Sequence, residues 1–496
     1  MSCLPCILSV LVVLAGLAAC GGGGNGSGSG STSSSPAGSA PPQRGALIDN
    51  PPTKLASFAP GDLRALLAAS DLGKTFLQLS YTPLCTITVY HLTYQTVDPQ
   101  GNITPASGAL MVPGGGSSDC TGARPVVLYA HGTTTDRNFN IARLQAAGSA
   151  EGVLLAAVFA AEGYIVVAPN YLGYDTSTLG YHPYLIADQQ SKEMIDSLTA
   201  ARAALPTAAA PTSTDGGKLF ITGYSEGGYV AMATHSAMQS AGMSVTASAP
   251  MSGPYALAAF GDAIFEGHVS ASATVNVALL AVAYQKDYGD IYTTPADVFA
   301  SKYAASIETL LPSSMPVSDL VSQGRFPSAL FDSTPPSPGY SIYTPAAAPA
   351  YLAGVFAAGF GTDDLINNPT VMTGVPAAHP TVELRVQLKA NDLRNWAPSA
   401  PTLLCGGNSD PTVFFFNTTL MQQYWMGHPP ATAPVIVDID SAPTSADPYA
   451  TLKTAFGVAK SLVSTTDGEA AVLAAYHATL VPPFCLTAVK SFFDAH

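Results

Sequence analysis

Four short apolar runs, "PVVLYA" (125–130), "YIVVAP" (164–169), "KLFITG" (218–223) and "VTASAP" (245–250), take turns with Ala-rich stretches at about 150–162, 188–205 and 226–241. The runs lack the every-second-residue polarity of a strand with one wet face, so they suit parallel strands buried on both sides. Strand and helix in alternation, joined by right-handed crossovers, place helices on both faces of one sheet. The class is therefore α/β. Upstream, "CTITVYHLTY" (85–94), a turn at Asp98–Asn102 and "SGALMVP" (107–113) read as an antiparallel hairpin at the start of a mostly parallel sheet.

The rhythm breaks between about Gly253 and Ser399, where Pro-rich loops such as "STPPSPGYSIYTPAAAP" separate helical segments such as "TVNVALLAVAYQKDYG". It then resumes with "APTLLCGG" (400–407), a helical segment from about Thr412 to Met426, "PVIVDID" (434–440) and a last helix near Leu486–Ala495. The interruption, 254–398, reads as a mainly helical lid inserted between two parts of one core, 46–253 and 399–496. The apolar run Ser272–Gln285 within it is too short to span a bilayer.

The first fifty residues are expected to lie outside the fold. An apolar stretch, Ile7–Leu17, ends in Leu17-Ala18-Ala19-Cys20 and runs into a Gly/Ser/Pro tract. Residues 1–19 read as an export signal and 20–45 as a tether without core-forming residues. The Leu-Ala-Ala-Cys ending resembles a bacterial lipobox, which implies lipidation of Cys20 and a membrane tether, although Met1–Val10 carries no Lys or Arg. An ordinary cleaved signal is the alternative. Either way the chain is expected to be exported, anchored to the outer face of a membrane or secreted. A net charge of −14, with only 10% charged residues, leaves no basic stripe for nucleic acid.

Beyond Cys3, Cys6 and Cys20, four cysteines remain: Cys85, Cys120, Cys405 and Cys485. An even number in an exported chain predicts two disulfides, drawn from three possible pairings. No C-x-x-C spacing suggests a metal, so a zinc site is not expected from the cysteines.

The chemistry centres on Gly223-Tyr224-Ser225-Glu226-Gly227. In a chain with 45 glycines the pattern alone is weak; at a strand-to-helix turn it becomes a nucleophile elbow. Leu219–Thr222 supply the strand and Gly228–Gln239 the helix. A serine nucleophile needs a base oriented by an acid, in chain order Ser, Asp/Glu, His for this arrangement. Asp410, in "CGGNSDPTVFF", follows the seventh expected strand, and His477, in "AAYHATLVPPFC", follows the eighth on what reads as a loop. Asp410 also reads as a turn former before Pro411 and His477 as a surface residue; the order of the three favours the catalytic reading. Asp438, Asp440 and Asp262 are the runner-up acids, while His428 and the terminal His496 are poorly placed as bases. "AHGTT" after the third strand assigns the oxyanion donors to the N–H groups of Thr133 and Glu226, with His131 structural and the Glu226 carboxylate incidental. On this layout a hairpin joins Cys85 to Cys120, and Cys405–Cys485 ties the acid's strand to the base's segment.

From about residue 83 onward the chain resembles the α/β-hydrolases, and more narrowly the bacterial and fungal secretory lipases. "YAHGTT" (129–134), "APNYLGYDTS" (168–177), "HPYLIADQQSKEMIDSLTAARAAL" (182–205) and "GYSEGG" (223–228) carry the likeness. The resemblance implies hydrolysis of carboxylic esters, acylglycerols included, by Ser225, His477 and Asp410 without a cofactor. A monomer acting on small-molecule or lipid esters is expected. A serine peptidase of the same fold (prolyl or aminopeptidase type) is the alternative, with Asp363-Asp364 the candidate for binding a substrate amine. A non-catalytic surface-binding module is the more distant one.

Overall fold

A computed structural model describes residues 43–79, 83–146, 148–208, 212–265, 267–331 and 382–496. The expected signal, Cys20, most of the tether, and Asp363-Asp364 lie outside the described residues.

Nine strands form one mixed sheet: β1 (Thr53–Phe58), β2 (Thr86–Val97), β3 (Ile103–Gly114), β4 (Gly122–Ala130), β5 (Ile165–Pro169), β6 (Ser213–Tyr224), β7 (Ala247–Met251), β8 (Leu403–Gly406) and β9 (Val435–Asp438). Their spatial order is β1-β2-β3-β5-β4-β6-β7-β8-β9. Pairing is antiparallel from β1 to β5 and parallel from β5 to β9. The period-2 geometry of a strand sends alternate side chains of β4 to opposite faces. Val126, Leu128 and Ala130 enter one hydrophobic core, and Val127 and Tyr129 enter the other.

Helices cover both faces. They include α1 (Pro60–Ala68), α2 (Asp71–Leu77), α3 (Ala150–Val158), α4 (Ala187–Ala208) and α5 (Glu226–Ser240), and α6 (Leu257–Phe265) and α7 (Ala273–Tyr288) open the insertion. Between β7 and β8 the described residues also contain three short α-helices, one 3₁₀ turn and the helix Glu383–Ala390. Arg385 of that helix and Asp262 of α6 form an ion pair at 2.8 Å with no solvent exposure, which pins the end of the insertion to its beginning.

Three features differ from the sequence expectations. The sheet has one more strand, β1, an edge strand whose outward residues are mostly exposed and which therefore lacks an apolar signature. The chain joins the fold before residue 46: Arg44 pairs with Asp196 at 3.0 Å, the Gly45 N–H donates to Gln95 O at 2.8 Å, and Leu47 bridges Tyr94. His477 does not stand on a loop. It occupies a π-helical turn, Tyr476–Leu480, between the helices Glu469–Ala475 and Val481–Asp494. Pro482 and Pro483 supply no N–H, so two main-chain donors are missing immediately after the π-helical turn, whose end is closed by the Val481 N–H donating to Tyr476 O.

Cys85–Cys120 and Cys405–Cys485 are disulfide-bonded, with Cα–Cα distances of 5.4 and 5.6 Å. The first closes the base of the β2–β3 hairpin, and the second joins β8 to the last helix.

Candidate active site

The turn from β6 into α5 is tight. Ser225 has φ 61° and ψ −123°, an unfavourable conformation for a residue with a side chain. Glycine is required on both sides. A Cβ on Gly223 would fall 2.2 Å from Gly227 O, and one on Gly227 would fall 1.9 Å from Ala130 O. The Ser225 N–H donates to Met251 O at 3.0 Å, so β7 holds the turn from the side.

The hydroxyl of Ser225 lies 2.8 Å from Nε2 of His477, and Nδ1 of the same ring lies 2.7 Å from Oδ2 of Asp410. Asp410 follows β8 and is buried; its other oxygen accepts the N–H groups of Thr412 (2.9 Å) and Val413 (3.1 Å). A carboxylate acceptor at Nδ1 puts the ring proton there, which leaves Nε2 free to accept the serine proton. Tyr224 donates its hydroxyl to His477 O at 2.7 Å, linking the residue before the serine to the turn that carries the imidazole. The three residues predicted from their order in the chain thus meet within hydrogen-bonding distance.

The runner-up residues are engaged elsewhere. Asp262 pairs with Arg385, Asp438 accepts from the Asn408 backbone and side chain, and Asp440 is shared by Lys460 and Tyr476. His428 contacts Tyr424 O and His496 contacts Phe492 O.

Among the described residues, neither the Thr133 N–H nor the Glu226 N–H donates to a protein acceptor. Glu226 opens α5, where main-chain donors are unsatisfied and the helix dipole is positive. His131 is fully buried, stacks on Tyr171 at 4.1 Å and places its two nitrogens near Gly132 O (2.7 Å) and Asn170 O (3.1 Å).

The Glu226 carboxylate is not incidental, contrary to the sequence reading. It is buried and accepts from His182 Nε2 at 2.7 Å and from Gln190 Nε2 at 2.8 Å. Burial alone pushes this carboxyl up, but the His182 imidazole beside it reverses that and leaves it below the ordinary range. Burial likewise opposes charge on His182, and Glu226 more than offsets it, raising the imidazole above its usual value. Both partners come from the "HPYLIADQQ" stretch, which as a bare sequence gives no pointer to the serine.

A cavity of about 560 Å³ opens in front of Ser225 and His477, lined by Thr133–Thr135, Tyr224, Val275 and Leu486. A narrower apolar pocket also borders Ser225 and Glu226, walled by Leu185, Leu257, Phe260, Ile264, Leu280 and Val413. Among the described residues no cluster of His, Cys, Asp and Glu is arranged to hold a metal ion.

The sheet order, the elbow and the histidine-bearing C-terminal segment define an α/β-hydrolase, and one that resembles lipases and esterases. The profile of the prolyl oligopeptidase family matches residues 154–272, the segment containing the elbow. Among solved structures, a point-mutant form of the rice cell wall degrading esterase LipA of Xanthomonas oryzae superposes with a TM-score of 0.67 at 26% identity. That match covers 92% of this chain and 99% of LipA. Its ligand-bound form gives a TM-score of 0.66 at 25% identity, over 91% of this chain and 98% of that one. A Legionella pneumophila structure shares the fold at 20% identity, with a TM-score of 0.64 and coverage of 90% and 97%. No curated protein matches the chain.

Proposed function

We propose that this protein is an exported serine carboxylic-ester hydrolase of the lipase/esterase kind. The observation that carries the reading is the continuous hydrogen-bonded line Asp410–His477–Ser225, with imidazole contacts of 2.7 and 2.8 Å. In this mechanism His477 removes the hydroxyl proton as Ser225 Oγ attacks the ester carbonyl, and Asp410 stabilises the imidazolium that forms. The N–H groups of Thr133 and Glu226 receive the developing oxyanion. The imidazolium then protonates the leaving alcohol. Water, activated by the same ring, attacks the acyl-serine and releases the acid. The narrow apolar pocket suits the acyl chain and the open cavity the alcohol side. Similarity to a cell wall degrading esterase supports an ester as the substrate.

Export is supported by the two disulfides, which belong in an oxidising compartment, and by the apolar Ile7–Leu17 segment ending at Cys20. Lipidation of Cys20 would make the tether a membrane anchor.

The prolyl oligopeptidase match favours peptide hydrolysis as the second reading. A panel of p-nitrophenyl esters from acetate to palmitate, run beside emulsified triglyceride and aminoacyl anilides, separates the two. Hydrolysis of anilides with inert esters would replace the esterase reading by the peptidase one.

A further inference from the structure

The loop after β4, His131-Gly132-Thr133-Thr134, carries one of the two proposed oxyanion donors, and its main chain is held at successive polar atoms. His131 O accepts the Tyr171 hydroxyl at 3.1 Å, Gly132 O meets His131 Nδ1 at 2.7 Å, and Thr134 O accepts the Tyr174 hydroxyl at 2.6 Å. The Gly132 N–H points to the carboxylate of Glu151, 3.0 Å from Oε1 and 3.3 Å from Oε2. Glu151 stands in the first turn of α3 and is itself fixed by the Tyr129 hydroxyl, which donates to Oε1 at 2.8 Å. Gly132 lies between this carboxylate and the nucleophile: a Cβ built on it would sit 3.7 Å from Ser225 Cβ and 3.8 Å from Glu151 Oε2.

In a planar trans peptide the C=O and N–H point in opposite directions, so a bond at each end fixes the rotation of the whole unit. Tyr171 and Glu151 hold the two ends of the 131–132 peptide. His131 holds the carbonyl end of the 132–133 peptide, which turns the Thr133 N–H away from His131, and that N–H has no protein acceptor among the described residues. Without an acceptor at Glu151, the Gly132 N–H would lose its partner in a partly dry site, and the peptide would be free to rotate toward water.

We infer that Glu151 is a positioning residue for the hydrolysis proposed above: it holds the Gly132 N–H so that the next peptide keeps its N–H aimed at the carbonyl oxygen reacting with Ser225. The role is that of a hydrogen-bond acceptor and does not depend on negative charge, which beside an oxyanion would be unfavourable. This inference rests on the serine-esterase reading.

The test compares Glu151→Gln, which keeps an acceptor oxygen, with Glu151→Met, which keeps length and removes it, on p-nitrophenyl butyrate at pH 7.5. A misplaced oxyanion donor weakens binding of the transition state and not of the ground state, so kcat falls while KM stays. Glu151→Met is expected to lose roughly tenfold or more in kcat, with KM within about twofold, a fraction of what deleting an oxyanion donor costs. Glu151→Gln is expected to stay within about threefold of the parent kcat. If Glu151→Met does not fold, Glu151→Ala is read in the same way. Unchanged kcat in the acceptor-free variant, or an equal loss in both variants, overturns the inference. Ser225→Ala in the same assay keeps the two failures apart: if it remains active, the esterase reading itself fails, whatever Glu151 does.

Discussion

His182 Nε2 and Glu226 Oε1 lie 2.7 Å apart with no solvent exposure on either side chain, and Glu226 is the residue that follows the nucleophile. A buried pair adds little over a well-packed apolar one, but removing one partner strands the other. Glu226→Ala is therefore expected to destabilise the fold by about 3–5 kcal/mol in denaturant titration. Glu226→Gln, which still accepts from His182 and Gln190, should cost less. The pH dependence follows from the two shifts. The raised His182 pKa gives stability that is present below its unfolded value of 6.5 and is lost as pH rises through the folded one. The lowered Glu226 pKa gives stability that is present above 4.5 and is lost as pH falls through its folded value. The deficit of Glu226→Gln should therefore be largest between about pH 4.5 and 6.5. A deficit that does not vary with pH would contradict a charged pair.

Glu193 of α4 is a buried carboxyl that accepts the Leu172 N–H at 2.7 Å and the Gln189 amide at 2.8 Å, and burial pushes it up to about 7. Its folded value exceeds the unfolded 4.5, so the native state binds the extra proton and stability falls as pH rises between the two. Relative to Glu193→Gln, the parent should lose on the order of 3 kcal/mol between pH 4.5 and 7 and then level off. Urea titrations of both proteins across that range check this. A gap that widens with acidification would have the opposite sign.

Cys405–Cys485 spans 80 residues and ties the strand leading to Asp410 to the helix that follows His477. Constraining so long a loop in the unfolded chain is worth about 2–4 kcal/mol. The double variant Cys405→Ala/Cys485→Ala should unfold that much more easily, and it should lose esterase activity at a lower temperature than the parent. Identical thermal inactivation of the two would show that the bridge does not hold the acid and base together.

Much of this architecture is legible in the sequence. Short unalternating apolar runs identify the buried strands β4 to β7, because burial on both faces removes polar residues. The elbow, Asp410 and His477 can be read from chain order, since a serine, an acid and a base must each follow a strand end. Other parts lack such a signal. Edge strand β1 buries one residue of six and reads as polar chain. The turn bearing His477 reads as loop because "HATLVPP" ends in Pro482-Pro483, which supply no N–H to a helical ladder, and only packing of Tyr476, Leu480 and Phe484 into the core settles it as helical. Nothing in the sequence marks Glu226 and Glu151 as structural acids. Their partners, His182 and Gln190 for one and Tyr129 and Gly132 for the other, lie far away in sequence or register as ordinary core residues.

The central claim is that Ser225 is the nucleophile of an ester hydrolase. The most direct test is steady-state hydrolysis of p-nitrophenyl butyrate by the parent and Ser225→Ala, with unfolding curves to show that the variant is folded. Removing the nucleophile should lower kcat by roughly 10⁴-fold or more while leaving stability near that of the parent. A folded Ser225→Ala protein that hydrolyses the ester at the parent rate would contradict the account.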